Sequence, residues 1–201
     1  IRGLGTVQLT TEEGGARRLV IAGAVSPALS EGDSVAVNGA CLTALAVQRD
    51  TFEVRLMSET LARTNLGSLS AGSAVNLERP VTGAQTLDGH FVLGHIDGVA
   101  AVTAIEQVGD DKVFTLAAPD SLARYLVPKG SVALDGVSLT IVEVAGASFT
   151  VSLMPYTLEH TLFGSVAIGY QANIEVDVLG KYVERLLAAH VQAKDHANAS
   201  V

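Results

Sequence analysis

Residues 34–43 read Ser-Val-Ala-Val-Asn-Gly-Ala-Cys-Leu-Thr, and residues 131–140 read Ser-Val-Ala-Leu-Asp-Gly-Val-Ser-Leu-Thr. The offset of 97 residues continues without a gap from Ser34 to Pro80 and gives 19 identities in 47 positions. Two copies are too few for a solenoid, and the repeat has the length of a domain. The sequence therefore predicts two similar domains of about 90 residues each.

Short runs of Val, Ile, Leu and Thr separated by Gly, Asp, Asn and Ser are typical of an all-β sandwich or barrel. Strands are predicted at 4–10, 17–23, 33–38, 41–48, 51–57 and 73–78, and again at 98–106, 112–117, 131–135, 138–145, 148–154 and 171–176. Tight turns are predicted at Asn38-Gly39 and Asp135-Gly136, and helical turns at 58–66 and 155–163. Six strands per copy favour two tandem six-stranded Greek-key barrels, which leave few exposed edges.

The chain is divided by this pattern into barrels at 1–86 and 87–177, with a linker over about 80–93. After Asp177 the apolar residues recur at helical spacing and predict an amphipathic helix at 178–191. This helix lies outside the barrels, and its apolar stripe needs a barrel wall or another subunit as partner. This apolar stripe consists of Leu179, Tyr182, Val183, Leu186, Leu187, His190 and Val191. Residues 192–201 are predicted to be a disordered tail.

The composition excludes several classes of protein. The net charge is −8 and no run of basic residues occurs, which argues against nucleic acid or an anionic membrane as partner. One cysteine excludes an intrachain disulfide framework and suits a reducing cytosol. No apolar run reaches transmembrane length, and no signal peptide is visible, so we expect a cytoplasmic protein.

Two histidines stand out in the segment Gly89-His90-Phe91-Val92-Leu93-Gly94-His95. No third ligand lies at metal spacing, so a metal site is not favoured. If the segment is a strand, alternation places His90 and His95 on opposite faces. Either histidine could act as an acid or base near neutral pH, and the plain alternative is that both are surface or hydrogen-bonded side chains.

The repeated turns are each followed by a pair of polar residues on one face of a strand. The pair is Cys41 and Thr43 in the first copy and Ser138 and Thr140 in the second. A lone cysteine is more often a small buried apolar residue than a nucleophile, and paired Ser and Thr are usually surface residues. Their recurrence after two equivalent turns favours a functional role.

At these residues the chain resembles the trimeric, alpha-chain type riboflavin synthase family, whose repeats are lumazine-binding domains. The matching pieces are Val37 to Thr43, Ser58 to Leu61, Gly89-His90 to Gly94-His95, Lys129 to Ser131, Asp135 to Thr140 and Asn173 to Asp177. The resemblance covers about residues 1–190. It implies a transferase for riboflavin biosynthesis that dismutates two molecules of 6,7-dimethyl-8-ribityllumazine. One molecule gives a four-carbon unit to the other, and the products are riboflavin and 5-amino-6-(D-ribitylamino)uracil.

The resemblance further implies no metal and no redox cofactor, a homotrimer held by the C-terminal helix, and possible docking with a lumazine synthase shell. One flavin-like pocket is expected in each barrel, and catalysis is expected where one subunit's first barrel faces a neighbour's second barrel. His95, Cys41 and Ser138 are the expected catalytic residues, with Asp177 a weaker candidate. The expected substrate-binding residues are Cys41, Leu42, Thr43, Arg55, Leu56, Met57, Ser58, Glu59, Thr60, Gly94, His95 and Ile96 for the first site, and Lys129, Ser138, Leu139, Thr140, Leu153, Met154, Pro155, Tyr156, Thr157 and Leu158 for the second.

The chain departs from the family pattern at its start. The family begins Met-Phe-Thr-Gly-Ile before the residue that matches Ile1, and we expect activity to depend on these residues. Two alternatives to a synthase stay open: a non-catalytic protein of the same fold that binds lumazine or flavin, and a pair of barrels that binds protein partners.

Overall fold

The computed structural model describes residues 1–198, with the side chains of Glu13 and of residues 189–198 outside the description. Short 3₁₀ helices lie at Ser26–Ala28, Asn65–Ser68, Asp120–Tyr125 and Leu162–Gly164. The helices are α1 (Ser58–Arg63), α2 (Pro155–His160) and α3 (Val178–Asn198). The strands are β1 (Gly3–Glu13), β2 (Ala16–Gly23), β3 (Ser34–Val37), β4 (Ala40–Thr43), β5 (Thr51–Leu56), β6 (Ala74–Glu78), β7 (Gly98–Val108), β8 (Asp111–Ala117), β9 (Ser131–Leu134), β10 (Val137–Ala145), β11 (Ser148–Leu153) and β12 (Gln171–Val176).

The two repeats fold into two antiparallel six-stranded sheets with the same cyclic strand order. The first runs β4-β3-β6-β1-β2-β5, and the second is a closed barrel with the order β10-β11-β8-β7-β12-β9. The gap in the first barrel lies between β4 and β5, where one isolated bridge joins Leu45 to Glu53. The predictions of an all-β class and of matching strand order in both halves are confirmed, as are the short helices that follow β5 and β11.

Some element boundaries differ from the prediction, and β1 continues to Glu13 rather than ending at residue 10. The strand predicted at 41–48 is wrong in length, because β4 ends at Thr43. Ala46 has a φ of 42°, a left-handed conformation that a continuous strand cannot contain. Helix α3 continues to Asn198 rather than ending at 191, since residues 192–198 contain no Gly or Pro to end it. The last part of the predicted tail, residues 199–201, lies outside the described residues.

Both predicted tight turns form, and their tips meet between the barrels. Asn38 and Gly39 have φ values of 43° and 76°, and Asp135 and Gly136 have 45° and 80°, as a type I′ hairpin turn requires. A Cβ added to Gly39 would lie 2.5 Å from the Gly136 nitrogen. Glycine is therefore needed at the point where the two domains come closest.

Buried amides on both sides of these turns form a hydrogen-bond pattern that repeats with the 97-residue offset. Each backbone carbonyl of the turn accepts from an asparagine of the other domain, and each of these asparagines also accepts from a backbone N–H across the interface. The four bonds are Asn76 Nδ2 to the Asp135 carbonyl (3.0 Å), Asn173 Nδ2 to the Asn38 carbonyl (2.8 Å), the Asn65 nitrogen to Asn173 Oδ1 (2.6 Å) and the Leu162 nitrogen to Asn76 Oδ1 (2.9 Å). Because buried polar groups are costly unless paired, this network fixes the domains in one arrangement.

Each barrel has its own apolar core. Alternation along β5 turns Phe52, Val54 and Leu56 inward, while Phe114 and Phe163 meet edge to face in the second core with ring centroids 5.6 Å apart. Burial of such a side chain contributes about 1.5–3 kcal/mol. Across residues 1–198, no helix has the length and apolar character needed to cross a membrane.

Candidate functional site

The two polar pairs found in the sequence occupy equivalent strands, β4 and β10. In the first copy, Cys41 and Thr43 are exposed on either side of buried Leu42. In the second, Ser138 is half-buried and Thr140 is exposed, while Leu139 packs against the core. The prediction that each pair shares one face of its strand is confirmed.

A cavity of about 500 Å³ opens beside Cys41 at the junction of the two domains. It gathers residues from three separate parts of the chain: strand β4, helix α1 and the segment before β7. Six of the residues predicted for the first site line it, namely Cys41, Glu59, Thr60, Gly94, His95 and Ile96. Ala40, Arg63, Thr64 and Asp97 also line it and were not predicted.

Glu175 holds the Gly94 backbone in place at this cavity. Its carboxylate, 2% exposed, accepts hydrogen bonds from the backbone nitrogens of Leu93 (2.8 Å) and Gly94 (2.9 Å). On the other side, the Cys41 nitrogen donates to the Gly94 carbonyl at 2.9 Å. A residue of the second domain thus fixes the segment that carries His95 against the first domain's strand.

Asp97 connects the same segment to the start of α3. Its Oδ2 accepts from the Val176 nitrogen at 2.9 Å, and its Oδ1 lies 2.7 Å from Lys181 Nζ. Asp177 Oδ1 accepts from the Leu179 nitrogen at 3.0 Å and so caps the helix. Asp177, the weaker catalytic candidate, therefore has a structural contact of its own.

A second, larger cavity of about 980 Å³ lies between the domains under the segment that joins them. Cys41 and Ser138 both line it, together with Gly39, Gly136, His90 and Gly94. The two equivalent polar positions of the repeat thus open onto one space within a single chain. Among the residues that the structure describes, no three His, Cys, Asp or Glu side chains are grouped as a metal ion would require.

The other predicted binding residues lie in two kinds of place. Leu42, Leu56 and Leu153 have their side chains in the barrel cores, so a ligand contact from them would use the backbone. The remaining residues lie at or near the surface: Thr43, Arg55, Met57, Ser58, Lys129, Thr140, Met154, Pro155, Tyr156, Thr157 and Leu158. Met57 and Met154, equivalent in the repeat, are 59% and 57% exposed.

Residues 79–97 form neither strand nor helix, so the alternation expected for His90 and His95 in a strand does not apply. The backbone has a left-handed φ just before each histidine, at Gly89 (101°) and Gly94 (81°). His95 lines the smaller cavity beside Cys41, and His90 Nδ1 lies 2.8 Å from Ser138 Oγ. Sequence reasoning raised His90 as an acid or base but did not pair it with Ser138.

Comparison with known proteins explains the repeat. The family described as "Lumazine binding domain" matches residues 1–80 and again 93–177. A riboflavin synthase of Bacillus amyloliquefaciens is 42% identical over 193 residues, which cover 96% of this chain and 90% of that one. A riboflavin synthase of Mycobacterium tuberculosis (strain ATCC 25618 / H37Rv) is 46% identical over 177 residues, covering 86% and 88%. The chain belongs to the riboflavin synthase family.

A solved structure shares the arrangement of the two lumazine binding domains. LumP complexed with riboflavin superposes with a TM-score of 0.81, covering 88% of this chain and 96% of LumP. The sequence identity is 23%, so this likeness shows the fold alone.

The two lumazine binding domains differ on the short helices that follow β5 and β11. In the first, Glu59 and Arg63 on α1 form an ion pair at 2.8 Å. The equivalent positions on α2 are Tyr156 and His160, whose rings stack with centroids 4.1 Å apart. One helix therefore carries an ion pair and the other an aromatic pair, although α1 and α2 occupy equivalent places in the two domains.

Proposed function

We propose that the protein converts two molecules of 6,7-dimethyl-8-ribityllumazine into riboflavin and 5-amino-6-(D-ribitylamino)uracil by transfer of a four-carbon unit. The observation that carries this proposal is the cavity beside Cys41. It brings together Cys41, Gly94 and His95 from distant parts of a chain whose relatives are riboflavin synthases. A second equivalent strand presents Ser138 and Thr140, as a reaction between two similar molecules needs.

The residues at the first site suit the first chemical step. One lumazine must lose a proton from its 7-methyl group, and an imidazole at His95 is an appropriate base. The Gly94 backbone packs so closely against Cys41 that only glycine fits there, since an added Cβ would lie 2.5 Å from the Cys41 Cβ. In the second site, the hydroxyls of Ser138 and Thr140 hold the partner lumazine by hydrogen bonds. Two reactants held in register gain much of the rate through proximity.

The proposal includes assembly through α3. Its apolar residues remain exposed in the single chain, among them Leu186 at 71% and Tyr182 at 66%. The other face of the helix is held on the second barrel, since Glu184 contacts Arg124 at 2.6 Å and also the Tyr125 hydroxyl. An exposed apolar stripe on a fixed helix fits a homotrimer in which neighbouring subunits cover it.

Incubation of the protein with 6,7-dimethyl-8-ribityllumazine tests the function. We expect flavin fluorescence to rise and two lumazines to disappear for each riboflavin formed. The assay is run with the chain that begins at Ile1 and with a chain that has Met-Phe-Thr-Gly-Ile added before it. Ser121→Ala, at an exposed serine of the 3₁₀ helix 120–125, is the matched control. If both chains shift the lumazine spectrum without turnover, the protein is a non-catalytic lumazine binder instead. If neither a spectral shift nor turnover occurs, a pair of barrels that binds protein partners is the alternative that is left.

A further inference from the structure

Each polar position of the repeat has a Gly-His dipeptide placed against it. Gly94 lies so close to Cys41 that an added Cβ would be 2.5 Å from the Cys41 Cβ, and His95 follows it. Gly89 lies equally close to Ser138, where an added Cβ would be 2.5 Å from Oγ, and His90 follows it. Both glycines have the left-handed φ that permits this approach. One connecting segment therefore supplies a histidine to each domain's site.

The His90 imidazole is placed to act on the Ser138 hydroxyl. Its Nδ1 lies 2.8 Å from Ser138 Oγ, and its buried Nε2 has no hydrogen-bond partner among residues 1–198. Burial lowers the pKa of His90, and the carboxylates of Asp177 and Glu175 oppose this effect. A ring that is neutral near pH 7 has a nitrogen lone pair available to accept the hydroxyl proton.

We propose that His90 is the positioning residue of the second site: it accepts the Ser138 hydroxyl proton in a hydrogen bond and turns the oxygen lone pairs toward the cavity. Ser138 then accepts a hydrogen bond from a ring N–H donor of the bound heterocycle or from a water held against it. The identity of that heterocycle rests on the proposed function, whereas the pairing of His90 with Ser138 does not. His90 is thus the counterpart of His95 in the second site, where it positions Ser138, whereas His95 is the proposed base of the first site.

Nuclear magnetic resonance tests the pairing without reference to activity. In ¹⁵N-labelled protein, the two imidazole nitrogens of His90 are followed from pH 5 to 9 in the parent, in Ser138→Ala and in the control Ser121→Ala. We expect Ser138→Ala to move the Nδ1 shift and the titration midpoint of His90, and Ser121→Ala to leave both unchanged. If Ser138→Ala leaves both unchanged, the pairing is absent and the proposal is overturned.

A double-mutant cycle tests the consequence for the reaction. We expect His90→Gln and Ser138→Ala each to lower turnover roughly tenfold, the factor that corresponds to one hydrogen bond. The double variant should then be no slower than the worse single variant, because both changes remove one interaction. His90→Gln with Ser121→Ala should show no coupling. If the losses of turnover in His90→Gln and Ser138→Ala multiply in the double variant, the proposal is overturned. Normal turnover of His90→Gln would also overturn it.

The two experiments separate this inference from the proposed function. If the parent protein forms no riboflavin, the proposed function fails, and the His90 titration alone decides the pairing. If the parent forms riboflavin and the His90 signals do not respond to Ser138→Ala, the function stands and the role of His90 fails. Circular dichroism of every variant checks that its fold is intact.

Discussion

Replacement of Asp135 by Asn should make the protein more stable at neutral pH. The Asp135 carboxylate is fully buried at the domain interface, where Oδ1 accepts from the Asn173 nitrogen (2.9 Å) and Asn65 Nδ2 (3.0 Å). Its Oδ2 accepts from the Tyr170 hydroxyl at 2.9 Å. Burial raises the pKa of Asp135 to about 7, although these three hydrogen bonds act in the opposite direction.

The sign of the pH dependence follows from the raised pKa. In the unfolded chain the carboxyl group ionises near its ordinary value of 3.8, whereas in the folded protein it keeps its proton up to about pH 7. Between these values the unfolded chain binds fewer protons, so the free energy of unfolding falls as the pH rises. A difference of about three pK units corresponds to about 4 kcal/mol in the free energy of unfolding, and this contribution is fully lost above pH 7.

Asparagine fits the same position because its carbonyl oxygen can accept from both N–H donors, the Asn173 backbone nitrogen and Asn65 Nδ2. Its amide nitrogen can donate to the Tyr170 oxygen once the phenol proton turns away. The first domain already has Asn38 at the equivalent position of its turn. We therefore expect Asp135→Asn to be more stable than the parent above pH 7, by up to about 4 kcal/mol, with the advantage disappearing as the pH falls toward 4.

Urea unfolding at each pH unit from 4 to 8 measures this effect. Subtraction of the parent's free energy of unfolding from the variant's cancels every group that the two chains share. Asp110→Asn, a change at an exposed carboxylate in the β7–β8 turn, is the matched control and should run parallel to the parent. The reasoning is refuted if the Asp135→Asn curve also runs parallel to the parent, whether above it or below it.

Three further predictions follow from the site and the helix. His95→Ala should lower turnover by about 100- to 10,000-fold while lumazine affinity measured by fluorescence changes less; equal losses of both would make His95 a binding residue. Lys129 has a φ of 65° where the first domain has Gly32 at 92°, so Lys129→Gly should raise the free energy of unfolding by about 1 kcal/mol and weaken lumazine binding. Thermal melts measure the first effect and calorimetry the second. A less stable variant would show that no strain is stored at Lys129. Truncation after Asp177 should give smaller particles on sedimentation with the barrels intact, and an unchanged particle size would exclude α3 as the assembly element.

Much of the fold could be predicted because its determinants are local. The 97-residue offset identified two domains, and Asn38-Gly39 and Asp135-Gly136 identified hairpin turns that the backbone angles confirm. Alternation of apolar residues placed β5 and β11 correctly to within one residue at each end. The early end of β4 could not be predicted, since Ala46 gives no sequence signal for its left-handed backbone.

The site was only partly predictable because distant residues complete it. Gly94 and His95 reach Cys41 through a segment without periodicity, and strand alternation does not apply to His90 because the segment is not a strand. Glu175, which holds the Gly94 backbone, had one available signal: it is a carboxylate between Ile174 and Val176 in a strand that is otherwise apolar there. Such a residue is costly to bury unless it is paired, and its partners proved to be backbone nitrogens 81 and 82 residues away.

The differences between the two domains are not spread evenly over the repeat. Among the residues that join the domains, the turn glycines and one pair of asparagines keep their identity, since Gly39 matches Gly136 and Asn76 matches Asn173, whereas Asn38 is matched by Asp135. A change at one of these would break a contact that the other domain also needs, because the interface bonds come in equivalent pairs. Cys41 and its equivalent Ser138 take no part in these paired bonds, and both line the larger cavity. A reaction between two identical molecules requires one to give and the other to receive, so a duplicated scaffold can supply both roles only where its paired positions differ.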